Sequence, residues 1–254
     1  MEGHWVLHQM ARIRWDNPTP DHEYRLERLI GQLDGSGSAA YSMLGHKGDL
    51  LFVHFRNSLD DLSKADVMVQ KSLAGVADVV NSYVSVVELG VYESSVKLYE
   101  ALVGRGVKPY SEEWNKEVEE TLNRQRAAMS PRLFPEIPGG KYICFYPMNK
   151  RRGEHKNWYS LPIQDRARQM AEHGEIGRRY AGSVRQIISG SIGYDDWEWG
   201  VDLFAENPLV FKQLIYEMRF DEASADYAEF GPFYVGVRLH QADVASYINP
   251  VAPR

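Results

Sequence analysis

The first half of the chain alternates between strand-like and helix-like spacing of apolar residues. Apolar side chains between Tyr24 and Leu33 fall on one helical face, and Gly35 marks the end of that helix. Ser58 is a good N-terminal cap for a second helix. Strand patterns surround the two helices, at residues 5–15, 39–45, 50–55 and 82–89. The predicted order is β-α-β-β-α-β.

The second half repeats this order about 140 residues later. A strand at 141–148 precedes a helix at 161–180, which ends near Gly182. Two strands at 184–193 and 197–206 surround the turn YDD. Pro208 then opens a helix that runs to Phe220, and the last strand is 232–239. Each half therefore reads as the split βαβ unit of ferredoxin-like folds.

These patterns predict an α+β fold of two ferredoxin-like βαββαβ repeats. Each sheet can bury one face under its own helices, and the other faces can join in a barrel-like arrangement, a dimeric α+β barrel. The predicted division is 1–104 for the first repeat and 141–254 for the second. Residues 105–140 would hold a helix from Glu112 to Met129 and then a linker, PRLFPEIPGG.

Composition and charge narrow the class of protein. The net charge is −6, which argues against a general nucleic-acid binder. Cys144 is the single cysteine, so an intrachain disulfide and a CxxC site are excluded. The first residues lack the pattern of a signal peptide, and no apolar run reaches the roughly 20 residues that span a bilayer. We therefore expect a cytoplasmic protein without a membrane span.

Polar residues break the core pattern at the end of the strand at 141–148. If the strand continues, Cys144, Tyr146, Met148 and Lys150 share one face. A phenol, a thioether and an ammonium would then line one edge of a cavity. A buried tyrosine is also common in ordinary cores, where its hydroxyl finds a hydrogen-bond partner. Spacing alone leaves both interpretations open.

A histidine stands out on the helix at 161–180. His173 lies beside the predicted inward stripe of this helix, and Gly174 and Gly177 remove bulk next to it. A flat group could approach the helix there, and an imidazole on a helix is the usual proximal ligand of haem iron. The alternative is a core histidine that bonds to a neighbour. The other histidines form no HxH or HExxH motif, which weakens a zinc interpretation.

Further polar groups could hold a ligand with carboxylates. Gln186 shares a strand face with apolar residues, while Arg185 lies on the other face. A buried amide needs a partner, either a ligand or a neighbouring strand. Arg132, Arg219 and Ser224 could bind carboxylates, since arginine presents a planar fork of donors, or they could be surface residues.

Together these residues resemble the coproheme decarboxylases, a branch of the chlorite dismutase-like superfamily. The similarity runs from YPMNKR at 146–151 through AEHGEIGR at 171–178 to FGPFYVG at 230–236. His173 follows Tyr146 by 27 residues, and Gln186 follows His173 by 13. The N-terminal half fits the family in the order and length of its elements.

The resemblance implies a role for each candidate residue. His173 resembles the proximal iron ligand, Gln186 occupies the distal position, and Tyr146 resembles the redox-active tyrosine. The remaining residues are implied to handle protons (Lys150), to cover the porphyrin edge (Met148), to bind propionates (Arg132, Arg219, Ser224) and to pack near the macrocycle (Trp158, Trp199). Chlorite dismutases carry an arginine at the distal position, so a register shift of one residue, to Arg185, would change the implied substrate.

The implied reaction is the oxidative decarboxylation of iron coproporphyrin III (coproheme) by hydrogen peroxide. It yields haem b through a monovinyl intermediate, the last step of the coproporphyrin-dependent pathway of haem biosynthesis. The resemblance also implies that the C-terminal half binds the porphyrin and the N-terminal half serves structure. It further implies a homopentamer and a transient contact with the upstream ferrochelatase.

Three alternatives remain at this stage. A haem peroxidase or chlorite dismutase could have the same fold, but Gln186 and the Tyr146–Lys150 pair argue against it. A non-catalytic haem carrier or sensor would explain His173 and leave Tyr146 and Lys150 unexplained. A cofactor-free ferredoxin-like dimer would bind no haem at all.

Overall fold

The structure, a computed structural model, describes residues 1–16, 20–90 and 92–249. The first repeat has the predicted order of elements. Its strands are β1 (Glu2–Ile13), β2 (Ser38–Met43), β3 (Leu50–Arg56) and β4 (Ala77–Glu88), and its helices are α1 (Pro20–Leu33) and α2 (Leu59–Leu73). The predicted cap of α2 is present, since the Ser58 hydroxyl accepts the main-chain N–H of Asp61 at 3.1 Å.

Two helices join the repeats. Helix α3 (Tyr92–Gly104) is absent from the predicted elements, and α4 (Glu112–Leu133) runs four residues beyond its predicted end. Arg132 therefore lies in the last turn of α4, and its placement in an irregular linker was wrong. Buried Leu133 explains the extension, because its carbonyl oxygen lies so close to β1 that a Cβ on Gly3 would be 1.8 Å away. Phe134 closes the turn beyond Pro131 by donating its main-chain N–H to the Ser130 carbonyl.

The second repeat again has the predicted order, with additions near its end. Its main elements are β5 (Tyr142–Lys150), α5 (Ile163–Arg179), β6 (Arg185–Gly190), β7 (Trp199–Ala205), α6 (Leu209–Met218) and the later strand β9 (Tyr234–Arg238). A short helix α7 (Glu222–Ala225) and a short strand β8 (Ala228–Phe230) precede β9, and α8 (Val244–Ile248) follows it. A 3-10 turn at Trp158–Ser160 connects β5 to α5. Within the described part of the chain, none of the helices has the length and apolar character that a membrane span requires.

The strands close into a ring. The strand order is β7-β6-β4-β1-β3-β2-β9-β5, and a pairing between β5 and β7 completes the circuit, while β8 continues beside β5 next to β9. Each repeat contributes one four-stranded sheet, and the sheets join at their edges through β2–β9 and β4–β6. This arrangement confirms the predicted pairing of two ferredoxin-like sheets in a barrel.

Alternating side chains build two kinds of core. Residues that point into the barrel pack together, among them Val6, Tyr41, Phe145 and Phe204. On the outer face of the first sheet, apolar residues are covered by α1 and α2. On the outer face of the second sheet, Tyr146 packs with apolar residues of β7 and α6. The candidate site lies on this last face.

Candidate functional site

A cavity of about 220 Å³ lies between the outer face of the second sheet, helices α5 and α6, and the end of α4. Its lining residues are Glu88, Leu89, Gly90, Met129, Arg132, Tyr146, Met148, Lys150, Trp158, Met170, His173, Gln186, Ile188, Trp199, Val201, Ile215, Met218, Ser224 and Phe230.

This lining contains nine of the ten residues to which the family resemblance assigns a role. Tyr146, Met148 and Lys150 face the cavity from alternate positions of β5, as the period of two predicts. Arg219 lies just outside, with its guanidinium carbon 4.0 Å from the centroid of the Phe230 ring. Cys144 shares the same strand face but is buried in the adjoining core.

Tyr146 is buried among aromatic side chains in the wall of the cavity. Only 3% of the residue is exposed, and its ring centroid lies 4.7 Å from that of Phe233 and 5.8 Å from that of Phe230. Burial raises the pKa of the Tyr146 phenol, and the nearby charge of Arg219 opposes this in part. The phenol therefore keeps its proton at neutral pH.

Lys150 is buried at the other end of the same strand face. Its Nζ donates to the carbonyl of Ala223 at 3.0 Å and lies 4.5 Å from the ring centroid of Trp158. Burial lowers the pKa of the ammonium to about 8, although the carboxylate of Asp221 opposes the shift. The strand end is held by Glu198, whose Oε2 accepts the main-chain N–H of Lys150 at 2.9 Å. Lys150 can thus exchange a proton near neutral pH.

His173 is oriented by a carboxylate that the sequence analysis missed. Its Nδ1 lies 2.9 Å from Oδ2 of Asp221, which precedes α7 as its N-terminal cap. Ser224 donates its hydroxyl to the same oxygen at 3.2 Å. Burial favours a higher pKa for Asp221, but the hydrogen bonds and charge of His173 and the bonds from Ser224 leave it lower than usual. The sequence DEAS (221–224) is typical of a helix N-terminal cap at Asp221. It does not reveal that the capping carboxylate contacts His173, which lies 48 residues earlier in the chain.

The alternation of side chains on β6 determines whether Gln186 or Arg185 faces the cavity. Gln186 and Ile188 line the cavity, and Ile187 points into the barrel core. Arg185 is exposed and is not among the lining residues. The neutral amide therefore faces the cavity, as the sequence register predicts.

The residues suit a flat ligand that carries a metal. Because Asp221 engages Nδ1 of His173, Nε2 is the nitrogen left to bind a metal in the cavity. A Cβ on Gly177 would lie 3.4 Å from Cε of Met218 and 3.6 Å from Oε1 of Gln186, two atoms of lining residues. Glycine at this position therefore keeps space between α5 and the opposite wall.

The other wall comes from the first repeat and α4. Glu88, Leu89 and Gly90 at the end of β4 line the cavity together with Met129 and Arg132 of α4. The first three were not predicted. They lie about 60 residues before Tyr146 along the chain, and the closure of the barrel through β4 and β6 brings them to the cavity.

Two curated relatives cover nearly the whole chain. A coproheme decarboxylase of Thermus thermophilus is 41% identical over 263 residues, which cover 98% of this chain and 95% of that protein. A coproheme decarboxylase of Staphylococcus saprophyticus is 39% identical over 93% of this chain and 92% of its own length. Other relatives are longer. The chain spans 46% of a protein of Haloquadratum walsbyi named as heme-binding, to which it is 42% identical, and 40% of a similarly named protein of Natronomonas pharaonis.

Solved structures agree with the fold, and a family model matches the sequence. A heme-binding protein from Thermus thermophilus has a TM-score of 0.78 and 40% identity, covering 98% of this chain and 96% of that one. A mutant chlorite dismutase from Candidatus Nitrospira defluvii, at 17% identity, shares the fold with a TM-score of 0.70 and coverage of 98% and 96%. The family model described as chlorite dismutase matches residues 23–239. The chain therefore belongs to the chlorite dismutase family.

Proposed function

We propose that this protein is a coproheme decarboxylase. It binds iron coproporphyrin III in the cavity on the second sheet and uses hydrogen peroxide to convert two propionates to vinyl groups, which yields haem b. The observation that carries the proposal is the placement of Tyr146, Lys150 and His173 around one cavity. The names of the two full-length relatives support the same activity.

The proposed role of each residue is the one that the family resemblance implies, and the shared cavity supports it. His173, held through Nδ1 by Asp221, presents Nε2 to the iron of the substrate. Gln186 is proposed to face the other, distal side of the porphyrin, where its neutral amide adds no charge. Arg132, Arg219 and Ser224 bind propionates, while Met148, Trp158 and Trp199 pack against the macrocycle.

Tyr146 is proposed to remove a hydrogen atom from the propionate. Its phenol is protonated and poorly hydrated, so it can lose a proton together with an electron to the oxidised porphyrin. The resulting oxyl radical takes a hydrogen atom from the β-carbon of the propionate and restores the phenol. Loss of carbon dioxide and of one more electron leaves the vinyl group.

Each decarboxylation balances with one peroxide. The propionate loses carbon dioxide, one proton and two electrons, and hydrogen peroxide accepts the two electrons and two protons to give two waters. One further proton is therefore taken up for each vinyl formed. Lys150, whose pKa is about 8, is placed to exchange protons near the substrate carboxylate.

The test adds iron coproporphyrin III and then peroxide to the protein and follows the porphyrin by mass spectrometry. We expect two successive losses, each of the mass of carbon dioxide plus two hydrogens. Unchanged porphyrin, or bleaching alone, would contradict the proposal. Oxygen release from added chlorite would favour a chlorite dismutase, and stable haem binding without turnover would favour a carrier or sensor.

Finer features of the proposal rest on the family resemblance. The C-terminal half (141–254) is the porphyrin-binding part, the N-terminal half (1–104) is structural, and 105–140 connects them. The protein acts in the cytoplasm as a homopentamer and contacts the upstream ferrochelatase transiently. Size-exclusion chromatography with light scattering tests the pentamer, and a mass other than five chains would overturn it.

A further inference from the structure

One acidic side chain lies in the wall of a cavity proposed for a substrate with four carboxylates. Among the described lining residues, the charged side chains are the bases Arg132 and Lys150 and the acid Glu88, beside the titratable His173. The proposed reaction gives Glu88 no role. An acid at this place opposes the binding of an anion, so its position calls for a reason.

The backbone holds Glu88 firmly at the cavity. It is the last residue of β4, where it pairs with Glu2 of β1, and two residues earlier Val86 pairs with Gly190 of β6. Its carboxyl rests directly on β6, since a Cβ built on Gly190 would lie 2.0 Å from Oε2 of Glu88. Glycine at 190 is what leaves room for this carboxyl above the strand.

Glu88 and Tyr146 mark opposite ends of the cavity. The strand register runs from Gly190 to Trp199, then to Met148 and on to Phe230, which adjoins the Tyr146 ring. Three strand spacings of about 4.8 Å separate the two ends of this row. A flat macrocycle that reaches Tyr146 with one edge would therefore turn another edge toward Glu88.

Two lining side chains of opposite charge, Glu88 and Arg132, lie at this end of the cavity. Arg132 enters from α4, whose end packs on the start of β1, next to the end of β4 where Glu88 lies. Burial raises the pKa of the Glu88 carboxyl; the N-terminal ammonium of Met1 opposes this shift in part, and the neighbouring Glu2 adds to it. When ionised, Glu88 offsets part of the attraction of Arg132, so this wall attracts carboxylates less strongly than Arg132 alone would.

We propose that Glu88 makes the cavity discriminate among porphyrins by the number of carboxylates on the edge that lies against β4. This inference rests on the proposed porphyrin binding. An edge with methyl or vinyl groups, or with a single propionate on Arg132, is accepted at the Glu88 wall, whereas an edge crowded with propionates is disfavoured there. The most highly charged edges are thereby directed toward Tyr146 and Arg219.

The test compares binding of two porphyrins, without peroxide, by absorption titration at low ionic strength. Glu88→Gln keeps the size and the contact with Gly190 and removes the negative charge. We expect it to tighten binding of iron coproporphyrin III by about fivefold to tenfold, and of haem b, with two carboxylates, by much less. Glu2→Gln is the matched control, because it removes the same charge from the adjacent strand at an exposed position outside the cavity.

The outcomes separate the two proposals. Porphyrin binding by the unmodified protein, with an unchanged preference between the two porphyrins in Glu88→Gln, would overturn the role of Glu88 alone. An equal change for both porphyrins, or the same change in Glu2→Gln, would also overturn it. Failure of the unmodified protein to bind either porphyrin would overturn the proposed function itself.

Discussion

Nδ1 of His173 lies 2.9 Å from Oδ2 of Asp221, so the imidazole is fixed by a carboxylate. Removing such a partner lowers metal affinity or activity by about 10- to 100-fold in other metal sites. We expect Asp221→Asn to weaken binding of iron coproporphyrin III within this range and to shift its absorption spectrum.

The control for this prediction is Asp226→Asn in the same segment. Asp226 pairs with Lys156 at the surface and is not among the cavity residues. Binding of metal-free coproporphyrin should be the same in all three proteins, because it tests the pocket without the iron bond. Equal affinities of Asp221→Asn and the unmodified protein for the iron porphyrin would contradict the role of Asp221.

Tyr146→Phe should separate binding from chemistry. The ring keeps its contacts with Phe230 and Phe233, so affinity for iron coproporphyrin III should be unchanged. Phenylalanine has no O–H to lose, and we expect vinyl formation to fall by at least about 100-fold. Tyr227→Phe, beside Trp158 but outside the cavity lining, is the matched control and should remain active. An active Tyr146→Phe protein would mean that another residue abstracts the hydrogen.

Because burial lowers the pKa of Lys150, the free energy of unfolding should increase with pH. In the unfolded chain its pKa is 10.5, and in the folded protein it is about 8. Between these values the unfolded chain binds a proton that the folded protein does not, so folding becomes more favourable as pH increases. The whole effect is on the order of 3 kcal/mol.

Denaturant unfolding at pH 7.5 and pH 10 measures this effect against Lys150→Met, which does not titrate. Between pH 7.5 and pH 10, the free energy of unfolding of the unmodified protein should rise relative to that of Lys150→Met. A difference that is constant across this window would show that the pKa of Lys150 is not lowered.

Much of the fold and part of the site could be predicted from the sequence. Periodicity placed Tyr146, Met148 and Lys150 on one face of β5 and Gln186 on the face of β6 opposite to Arg185, because strand faces alternate. That Gln186 faces the ligand was implied only by the family resemblance. Element order gave the two repeats. These features depend on local spacing, which a single sequence displays directly.

The missed features depend on contacts between distant parts of the chain. Strand β8 has three residues and exists through its pairing with β5. Helix α4 reaches Leu133 because that residue is buried against β1. Asp221 and Glu88 reach the cavity only through α7 and through barrel closure, which local patterns do not reveal.

Replacing Gly177 with alanine should raise the stability of the protein and lower its affinity for the porphyrin. Gly177→Ala should stabilise α5 by about 1 kcal/mol, since its Cβ would meet Met218 and Gln186 at ordinary contact distances. The same methyl group narrows the cavity, and we expect affinity for iron coproporphyrin III to fall about tenfold. Gly174→Ala is the control on the same helix, because its Cβ would meet only the end of Arg178. Equal affinities of the two variants would contradict the proposed approach of a flat group at Gly177.

A buried hydrogen bond between a histidine and a carboxylate joins the two repeats inside the barrel. His8 Nε2 on β1 lies 2.8 Å from Asp202 Oδ1 on β7, and the two side chains are 0% and 1% exposed. Removing one partner of such a pair leaves a buried group without compensation, so Asp202→Ala should lower the free energy of unfolding by about 3–5 kcal/mol. Asp78→Ala, which breaks the exposed pair of Arg14 with Asp78 between β1 and β4, should change it little.

Replacing both buried partners, as in His8→Phe with Asp202→Leu, should recover much of the loss, because the His8 ring already stacks on Phe145 at 3.8 Å. If the double variant lost as much free energy of unfolding as the two single variants together, the His8–Asp202 pair would stabilise the barrel by more than its burial costs.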